Sequence, residues 1–285
     1  MPKLLTEQQI ETYHRDGVSF PIRVCSADDA GVMRKKLEEL EARDGGNLNP
    51  RTNQKPHLLV PWINDLVRHP KILDVVEDIL GPNLLCWSSG FFAKNAHDPR
   101  FVSWHQDSTY WGLSSPEVVT AWIALTPSRR ENACMRVVPG SHKHQLSHRD
   151  TYDEKNFLSR GQEIAADVDE RYAVDVVLKP GEMSIHNVLL VHGSEPNNAD
   201  YRRIGLSIRY IPTHVRQLGG PRDSATLVRG VDTVGNFELE PSPKNAFDAE
   251  AVAVHDTVVK RQWEIIYAGS QVAGKRAAAQ VKAAA

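Results

Sequence analysis

The sequence predicts a mainly β protein, a sandwich or barrel, with helices at its N-terminal end. Between residues 84 and 211, short segments rich in branched and aromatic residues are separated by turns such as Pro139-Gly140 and Pro180-Gly181. Few helical patterns interrupt these segments, which favours an antiparallel β fold over a parallel α/β sheet. The first eighty residues instead place apolar side chains at helical spacing.

The composition is that of a globular chain and gives no sign of nucleic-acid or membrane binding. The 285 residues are 41% hydrophobic and 25% charged, which is enough to bury a sizeable core. The 34 Lys and Arg residues balance 36 Asp and Glu residues, and no apolar run approaches the roughly 18 residues of a membrane span. An early polar N-terminus and three scattered cysteines predict a cytoplasmic protein. The oligomeric state is left open.

Helix signals organise the N-terminal region. Thr6, with Gln9 three positions later, predicts a capped first helix that ends at Gly17. Ser26 can cap a second helix, and one or two more helices are predicted before Gly81.

Strands are predicted in the segments Leu84–Ala93, Val102–Asp107, Val118–Leu125, Met135–Val138, Tyr172–Leu178, Met183–His192 and Arg202–Ile211. Residues 143–171 form a polar insertion that is either a lid or a surface loop. A final helix is predicted around 246–268, followed by an Ala- and Lys-rich end that is expected to fray. We predict one domain over 1–285, made of a helical support over 1–82, a β core over 83–215 and a C-terminal extension over 216–285.

A candidate metal site begins at His105-Gln106-Asp107. Side chains alternate along a strand, so His105 and Asp107 are predicted to share one face, with Gln106 on the other. His192, on a later segment, is the candidate third ligand. Two His and one carboxylate form the facial triad of non-haem Fe(II) oxygenases, which leaves three coordination positions open.

Arg203 is the candidate anion-binding residue. If Asn197-Asn198 is the centre of a hairpin turn, His192 and Arg203 face each other across the two strands. Alternation then places Arg203 and Arg209 on a polar inward face and Arg202 outward. A buried arginine without an acidic neighbour needs an anion, and a carboxylate ligand would supply it.

Several other histidines are predicted to have structural roles. His186 shares the strand face of His192, but six residues along a straight strand span ~20 Å. It is therefore interpreted as a structural or pocket-edge residue and not as a fourth ligand. His142, His144 and His148 lie in or beside the polar insertion and are interpreted as residues of a solvated loop.

From about Leu5 to Val215 the chain resembles the phytanoyl-CoA dioxygenase family of Fe(II)/2-oxoglutarate-dependent oxygenases. The resemblance rests on the motifs Trp104-His105-Gln106-Asp107, Trp122-Ile123-Ala124-Leu125-Thr126, Pro139-Gly140-Ser141-His142, and His192-Gly193-Ser194 followed by Arg203 and Ile204-Gly205. It implies a double-stranded β-helix, a cupin-like jelly roll with bracing N-terminal helices. It also implies Fe(II) bound by His105, Asp107 and His192.

The same resemblance implies 2-oxoglutarate and O2 as cosubstrates. Arg203 and Ser194 would bind the distal carboxylate of 2-oxoglutarate, Trp122 would line its site, and Lys55 would match a lysine found in some members. Halogenating relatives carry a small residue in place of the carboxylate ligand. Because Asp107 is present, the resemblance implies hydroxylation and not halogenation.

The sequence leaves the substrate open, beyond the expectation of a small polar or anionic molecule. Tyr110 and Trp111 either form a substrate wall or pack against the next strand. Arg209 meets either an anionic group of the substrate or an acidic side chain. Two other functions are considered: a Zn- or Mn-dependent cupin-type hydrolase or isomerase, which leaves Arg203 unexplained, and a non-catalytic ligand-binding barrel, which would be expected to lose a ligand residue.

Overall fold

The computed structural model describes residues 1–268, so the predicted fraying of the Ala- and Lys-rich end lies outside the described residues. The strands are β1 (Val18–Arg23), β2 (Leu84–Lys94), β3 (Val102–His105), β4 (Val119–Ala124), β5 (Arg136–Val137), β6 (His148–Asp150), β7 (Gln162–Ile164), β8 (Val174–Asp175), β9 (Glu182–Asn187), β10 (His192–Ser194), β11 (Arg203–Pro212), β12 (Ser224–Arg229) and β13 (Glu238–Leu239). The helices are α1 (Glu7–Asp16), α2 (Ala27–Arg43), α3 (Pro50–Asn53), α4 (Pro61–Val67), α5 (Pro70–Leu80) and α6 (Ala249–Ile266). The mainly β prediction is confirmed.

The first two helices begin where the sequence predicts. The Thr6 hydroxyl accepts the Gln9 N–H at 3.2 Å, and the Gln9 side chain accepts the Thr6 N–H at 2.9 Å, which is a reciprocal capping box. Helix α1 ends at Gly17, whose φ of 78° suits glycine. Ser26 and Asp29 form the same reciprocal pair at the start of α2.

Five strands lie outside the predicted set, which are β6 and β7 of the insertion together with β1, β12 and β13. β1 lies between α1 and α2 and pairs antiparallel with β9, with Val18 opposite His186. β12 and β13 lie in the C-terminal extension and pair in parallel. Pro21 interrupts β1, and β13 has only two residues, so neither carries the alternation that identifies a strand.

The prediction of one strand over Met183–His192 is wrong. β9 ends at Asn187 and pairs with β4, whereas β10 starts at His192 and pairs with β3 and β5. Between the two strands the Leu190 N–H bonds to the Asn187 carbonyl at 2.9 Å. Val188, Leu190 and Val191 in this turn are buried, so the turn is as apolar as a strand and periodicity cannot separate them.

The described chain forms two compact units. Unit 1 consists of Met1–Lys36, Phe91–Thr109 and Val119–Ser207, and unit 2 consists of Leu37–Gly90, Tyr110–Val118 and the described residues from Ile208 onward. The single domain over 1–285 stays a prediction. No helix of residues 1–268 combines the length and the apolar composition needed to cross a bilayer.

Unit 1 contains two sheets. One has β1, β9, β4 and the first half of β11 in that order, and the other has β3, β10, β5 and β8. Buried apolar residues from both sheets pack together in one cluster, whose members are Val18, Trp122, Ala124, Met135, Val137, Val176, Leu178 and Leu190. This pair of packed sheets is the jelly-roll arrangement that the resemblance implies.

The insertion over 143–171 is partly regular. β6 and β7 pair antiparallel, with His148 opposite Ile164. The Ser103 hydroxyl on β3 donates to the Gln162 carbonyl at 2.6 Å and accepts from the Asn156 side chain at 2.8 Å. The insertion is therefore bonded along the strand that carries His105.

Unit 2 contains β2 as far as Gly90, followed across the sheet by β12 and β13, and a fully buried ion pair. The Lys55 ammonium lies 2.6 Å from a Glu240 oxygen and donates to the Ser224 carbonyl at 2.8 Å. The hydroxyls of Ser224 and Thr226 donate to Glu240 at 2.8 and 2.7 Å. Burial would raise the pKa of Glu240, but Lys55 and His57 outweigh it and lower that pKa to about 2. The pair is therefore charged and satisfied.

We predict that Lys55→Met lowers the free energy of unfolding by about 3–5 kcal/mol, because it leaves the Glu240 carboxylate buried without its cation. The double variant Lys55→Met/Glu240→Met should cost less than the sum of the two single variants, since it leaves no buried charge. Urea unfolding monitored by tryptophan fluorescence measures all three. Strict additivity would show that the pair contributes no coupling.

Candidate metal centre

His105, Asp107 and His192 converge in unit 1. Each offers a ligand atom, and the three atoms lie within 4.8 Å of one another. The His105 Nε2 atom is 3.3 Å from an Asp107 oxygen, and the centroids of the two imidazole rings are 4.1 Å apart. In the antiparallel pairing of β3 with β10, His105 is directly opposite His192. The two rings therefore meet because their strands are hydrogen-bonded neighbours.

Asp107 reaches the site by a route that differs from the predicted one. β3 ends at His105, and Asp107 begins a short 3-10 turn over Asp107–Tyr110. His105 and Asp107 were expected to share a face because side chains alternate along a strand. That reason is wrong, because Asp107 is not part of the strand. The turn brings the carboxylate back toward His105.

Backbone carbonyls fix both imidazole rings. His105 Nδ1 lies 2.9 Å from the Ser103 oxygen and 3.1 Å from the His192 oxygen, and His192 Nδ1 lies 2.9 Å from the Leu190 oxygen. A carbonyl only accepts hydrogen bonds, so each Nδ1 carries the proton and each Nε2 keeps a lone pair for a metal. Burial, and then the neighbouring His105, lower the pKa of His192, which favours its neutral form. Two imidazoles and one carboxylate fit Fe(II).

His186 lies beside this centre, so the ~20 Å separation expected from a straight strand is wrong. Its ring centroid is 4.9 Å from that of His192, and its Nε2 is 4.0 Å from an Asp107 oxygen. The chain turns between β9 and β10, which returns a residue six positions earlier to the same place. His186 is therefore buried beside the triad, and its role as a structural or pocket-edge residue stays a prediction.

Arg203 is buried in unit 1 at 3% exposure, with its guanidinium carbon 5.4 Å from the centroid of the Trp122 ring. Among residues 1–268 its Nε has no hydrogen-bond partner, and no carboxylate forms an ion pair with it. Burial lowers the pKa of Arg203 to about 10, so the group stays charged at neutral pH. A β-carbon on Gly205 would overlap the Trp122 ring, which explains a glycine there. A buried, uncompensated cation of this kind fits the carboxylate of 2-oxoglutarate.

The hairpin proposed between His192 and Arg203 is wrong. β10 pairs with β3 and β5, whereas β11 lies next to β4 in the other sheet of unit 1. His192 and Arg203 are equally far from Asn197-Asn198 in the sequence. That spacing would make them face each other only if β10 and β11 were hydrogen-bonded to each other. The Asn197 side chain instead donates to the Asn95 carbonyl at 2.6 Å and the Tyr201 carbonyl at 2.9 Å, which shapes a longer connection.

Lys94 is a buried lysine that the sequence pattern does not reveal. It ends β2, is 0% exposed, and donates from its side-chain nitrogen to the Ser194 hydroxyl at 2.8 Å and to the Glu195 carbonyl. Burial, and then repulsion from Arg203, lower the pKa of Lys94 to about 6. A lysine at the end of an apolar segment is usually an exposed strand end, so the sequence offers no signal for this position.

The remaining predicted site residues lie in unit 2. Lys55 forms the ion pair with Glu240 described above. The guanidinium carbon of Arg209 is 5.7 Å from the Trp111 ring centroid, and Trp111 packs against Trp87 with ring centroids 4.9 Å apart. Tyr110 ends the 3-10 turn that begins at Asp107. Cosubstrate contact for Lys55 and substrate contact for Tyr110, Trp111 and Arg209 stay predictions.

Comparisons with known proteins identify the family of this chain. The model of the family described as phytanoyl-CoA dioxygenase matches residues 2–205, and the chain belongs to that family. A probable alpha-ketoglutarate-dependent hypophosphite dioxygenase from Stutzerimonas stutzeri is 32% identical over 170 residues, which are 56% of this chain and 56% of that protein. The curated relatives that match do so over about half of their own length.

Two solved structures of a non-heme monooxygenase, ThoJ, are similar over nearly all of the chain. The apo form is 34% identical with a TM-score of 0.79, covering 96% of this chain and 99% of that one. The nickel complex is 33% identical with a TM-score of 0.77, covering 91% and 99%. The predicted fold and the expectation of an Fe(II)/2-oxoglutarate oxygenase family are thereby confirmed.

We predict that Lys94 gives the free energy of unfolding a rising pH dependence. Its folded pKa is about 6, whereas an unfolded lysine titrates near ~10.4, so between these values only the unfolded state holds the proton. Stability therefore rises with pH in this window. Lys94→Met should reduce the slope between pH 7 and pH 9 by up to about 1.4 kcal/mol per pH unit.

Urea unfolding at several pH values measures this slope, and Lys155→Met is the matched control because Lys155 is exposed. The control should keep the slope of the unaltered protein. An unchanged slope in Lys94→Met would mean that Lys94 is charged in the folded protein at neutral pH.

Proposed function

We propose that this protein is an Fe(II)- and 2-oxoglutarate-dependent dioxygenase that hydroxylates a C–H bond of a small polar or anionic molecule. One oxygen atom of O2 enters the substrate and the other enters succinate, with loss of CO2 from 2-oxoglutarate. The observation that carries the proposal is a complete facial triad in the same unit as a buried arginine without a counter-ion. A hydrolase or isomerase on the same barrel has no use for that arginine.

In this proposal the residues of the chain have separate tasks. His105, Asp107 and His192 hold Fe(II), which supplies the activation of dioxygen when it is bound. Arg203 and Ser194 hold the distal carboxylate of 2-oxoglutarate, and Lys94 orients the Ser194 hydroxyl by a hydrogen bond. Trp122 limits the space beside Arg203 and excludes water from the ion pair, which strengthens it.

The substrate class follows from charge and from similarity. The relative named as a hypophosphite dioxygenase acts, by its name, on a small phosphorus oxyanion. Arg209, on β11 with Trp111 beside it, is a cationic and aromatic pair suited to an anionic group. Asp107 fills the position that a halide would need, which supports hydroxylation over halogenation.

The test is an anaerobic titration of the Fe(II)-loaded protein with 2-oxoglutarate, followed by the visible charge-transfer band of an iron-chelated keto acid. We expect the band in the unaltered protein and its loss in His192→Ala, because that variant lacks a ligand. Substrate candidates, with small organic phosphonates first because they combine a phosphorus oxyanion with a C–H bond, are then screened for oxygen-dependent succinate formation. Iron binding without any band would overturn the proposal and favour a metal-dependent hydrolase or isomerase.

Arg203→Met should raise the dissociation constant of 2-oxoglutarate by at least about 30-fold, equal to about 2 kcal/mol, because it removes one partner of a buried charge pair. Arg202→Met is the matched control, since it removes the same charge from the preceding residue, which is more exposed. Iron affinity should be similar in both variants. Equal weakening of 2-oxoglutarate binding in both would contradict the role of Arg203.

A further inference from the structure

Gln106, which lies between two of the predicted metal ligands, is bonded to the polar insertion. Its side chain is 1% exposed, and its amide oxygen accepts the Leu146 N–H at 2.7 Å. Its amide nitrogen donates to the His144 carbonyl at 2.8 Å and to the Leu189 carbonyl at 2.6 Å. One side chain thus joins the ligand loop, the insertion and the turn that leads to His192.

His148 bonds to the backbone of the same residue. The β3 ladder ends at His105, and the Gln106 N–H donates to His148 Nε2 at 2.9 Å. His148 Nδ1 lies 2.9 Å from the Leu146 carbonyl, which can only accept, so Nδ1 carries the proton and Nε2 is the acceptor. The interpretation of His148 as a solvated loop residue is therefore wrong: its ring is partly buried and meets a backbone donor.

A third contact closes this network. The Thr109 hydroxyl, in the turn after Asp107, donates to the Gln106 carbonyl at 3.3 Å and lies 3.1 Å from His148 Nδ1. The Gln145 side chain donates to the Thr109 hydroxyl at 3.0 Å and to the Gln106 amide oxygen at 3.1 Å. Gln106, between His105 and Asp107, is thus hydrogen-bonded through its backbone N–H, its backbone carbonyl and its side chain.

From this geometry we propose that His148 is a positioning residue of the metal centre, and that the insertion presets the angle between His105 and Asp107 through the Gln106 backbone. This inference rests on the proposed function, because it assumes a metal at the triad. Hydrogen bonds that orient the ligand residues increase metal affinity. Without them the loop would have to become ordered when the metal binds, which costs free energy. His148 is not a ligand, because its Nε2 is occupied by the Gln106 N–H.

The experiment measures Co(II) binding to the apo-protein by calorimetry and by the visible spectrum of the bound ion. His148→Leu, which has no acceptor, should weaken Co(II) binding about 10- to 100-fold and alter the spectrum. His148→Gln places an acceptor near the same point and should stay within about threefold of the unaltered protein. His144→Leu is the matched control, because that ring is exposed and only its backbone carbonyl enters the network.

Unfolding by urea is measured for each variant so that lost stability is not mistaken for lost affinity. His148→Leu binding Co(II) as tightly as the unaltered protein would overturn the proposal. Equal weakening in His148→Gln and His148→Leu would do the same, since the acceptor would then be irrelevant. If His148→Leu does not fold, hydrogen exchange in the unaltered protein decides, because fast exchange of the Gln106 amide would contradict the bond.

The result separates this inference from the proposed function. If Co(II) binding to the unaltered protein is no tighter than to His192→Ala, the triad itself is not the metal site and the proposed function fails. If the unaltered protein binds Co(II) and His192→Ala does not, the triad stands. The three variants at 148 and 144 then test the role of His148 alone.

Discussion

The pairing of β3 with β10 is the constraint on which the rest of the candidate centre depends. It places His105 opposite His192. Carbonyls of these two strands orient the His105 ring, and the Leu190 carbonyl, in the turn before β10, orients the His192 ring. Strand side chains alternate between faces, so a slip of one residue would turn one imidazole to the opposite side. Asp107, Gln106 and Ser194 follow within two residues of these two histidines, and their positions are therefore inherited from the same pairing.

The protein buries charged side chains in both units, and they differ in whether the described residues supply the opposite charge. In unit 2 the Glu240 carboxylate has an ammonium and two hydroxyl donors, which satisfies it without any ligand. In unit 1 the Arg203 guanidinium is buried, its charge lowers the pKa of the neighbouring Lys94, and no carboxylate among the described residues pairs with it. A satisfied pair needs nothing further, whereas an uncompensated buried cation is costly until an anion arrives. This difference separates a structural buried charge from a ligand-binding one.

Local chemistry was predictable from the sequence, and strand partnership was not. The caps at Thr6 and Ser26 and the ligand types at 105, 107 and 192 depend on residues close in sequence or on a family motif. The errors at the Asn197-Asn198 connection and at His186 share one cause: periodicity shows which face a side chain takes, but not which strand lies beside it. Lys94 was missed because its burial depends on residues a hundred positions away, at Ser194 and Glu195.

The bonds between Gln106 and residues 144–148 have a consequence for how such enzymes diversify and how they can be engineered. A surface loop that contacts only substrate can be exchanged freely between homologues, whereas this loop shares hydrogen bonds with the ligand-bearing backbone. Under the proposed function, a chimera that receives a foreign segment here would change the hydrogen bonds of the ligand-bearing backbone and with them the retention of iron. A foreign segment that preserves these bonds would need a hydrogen-bond acceptor for the Gln106 backbone N–H. It would also need backbone groups that bond to the Gln106 side chain.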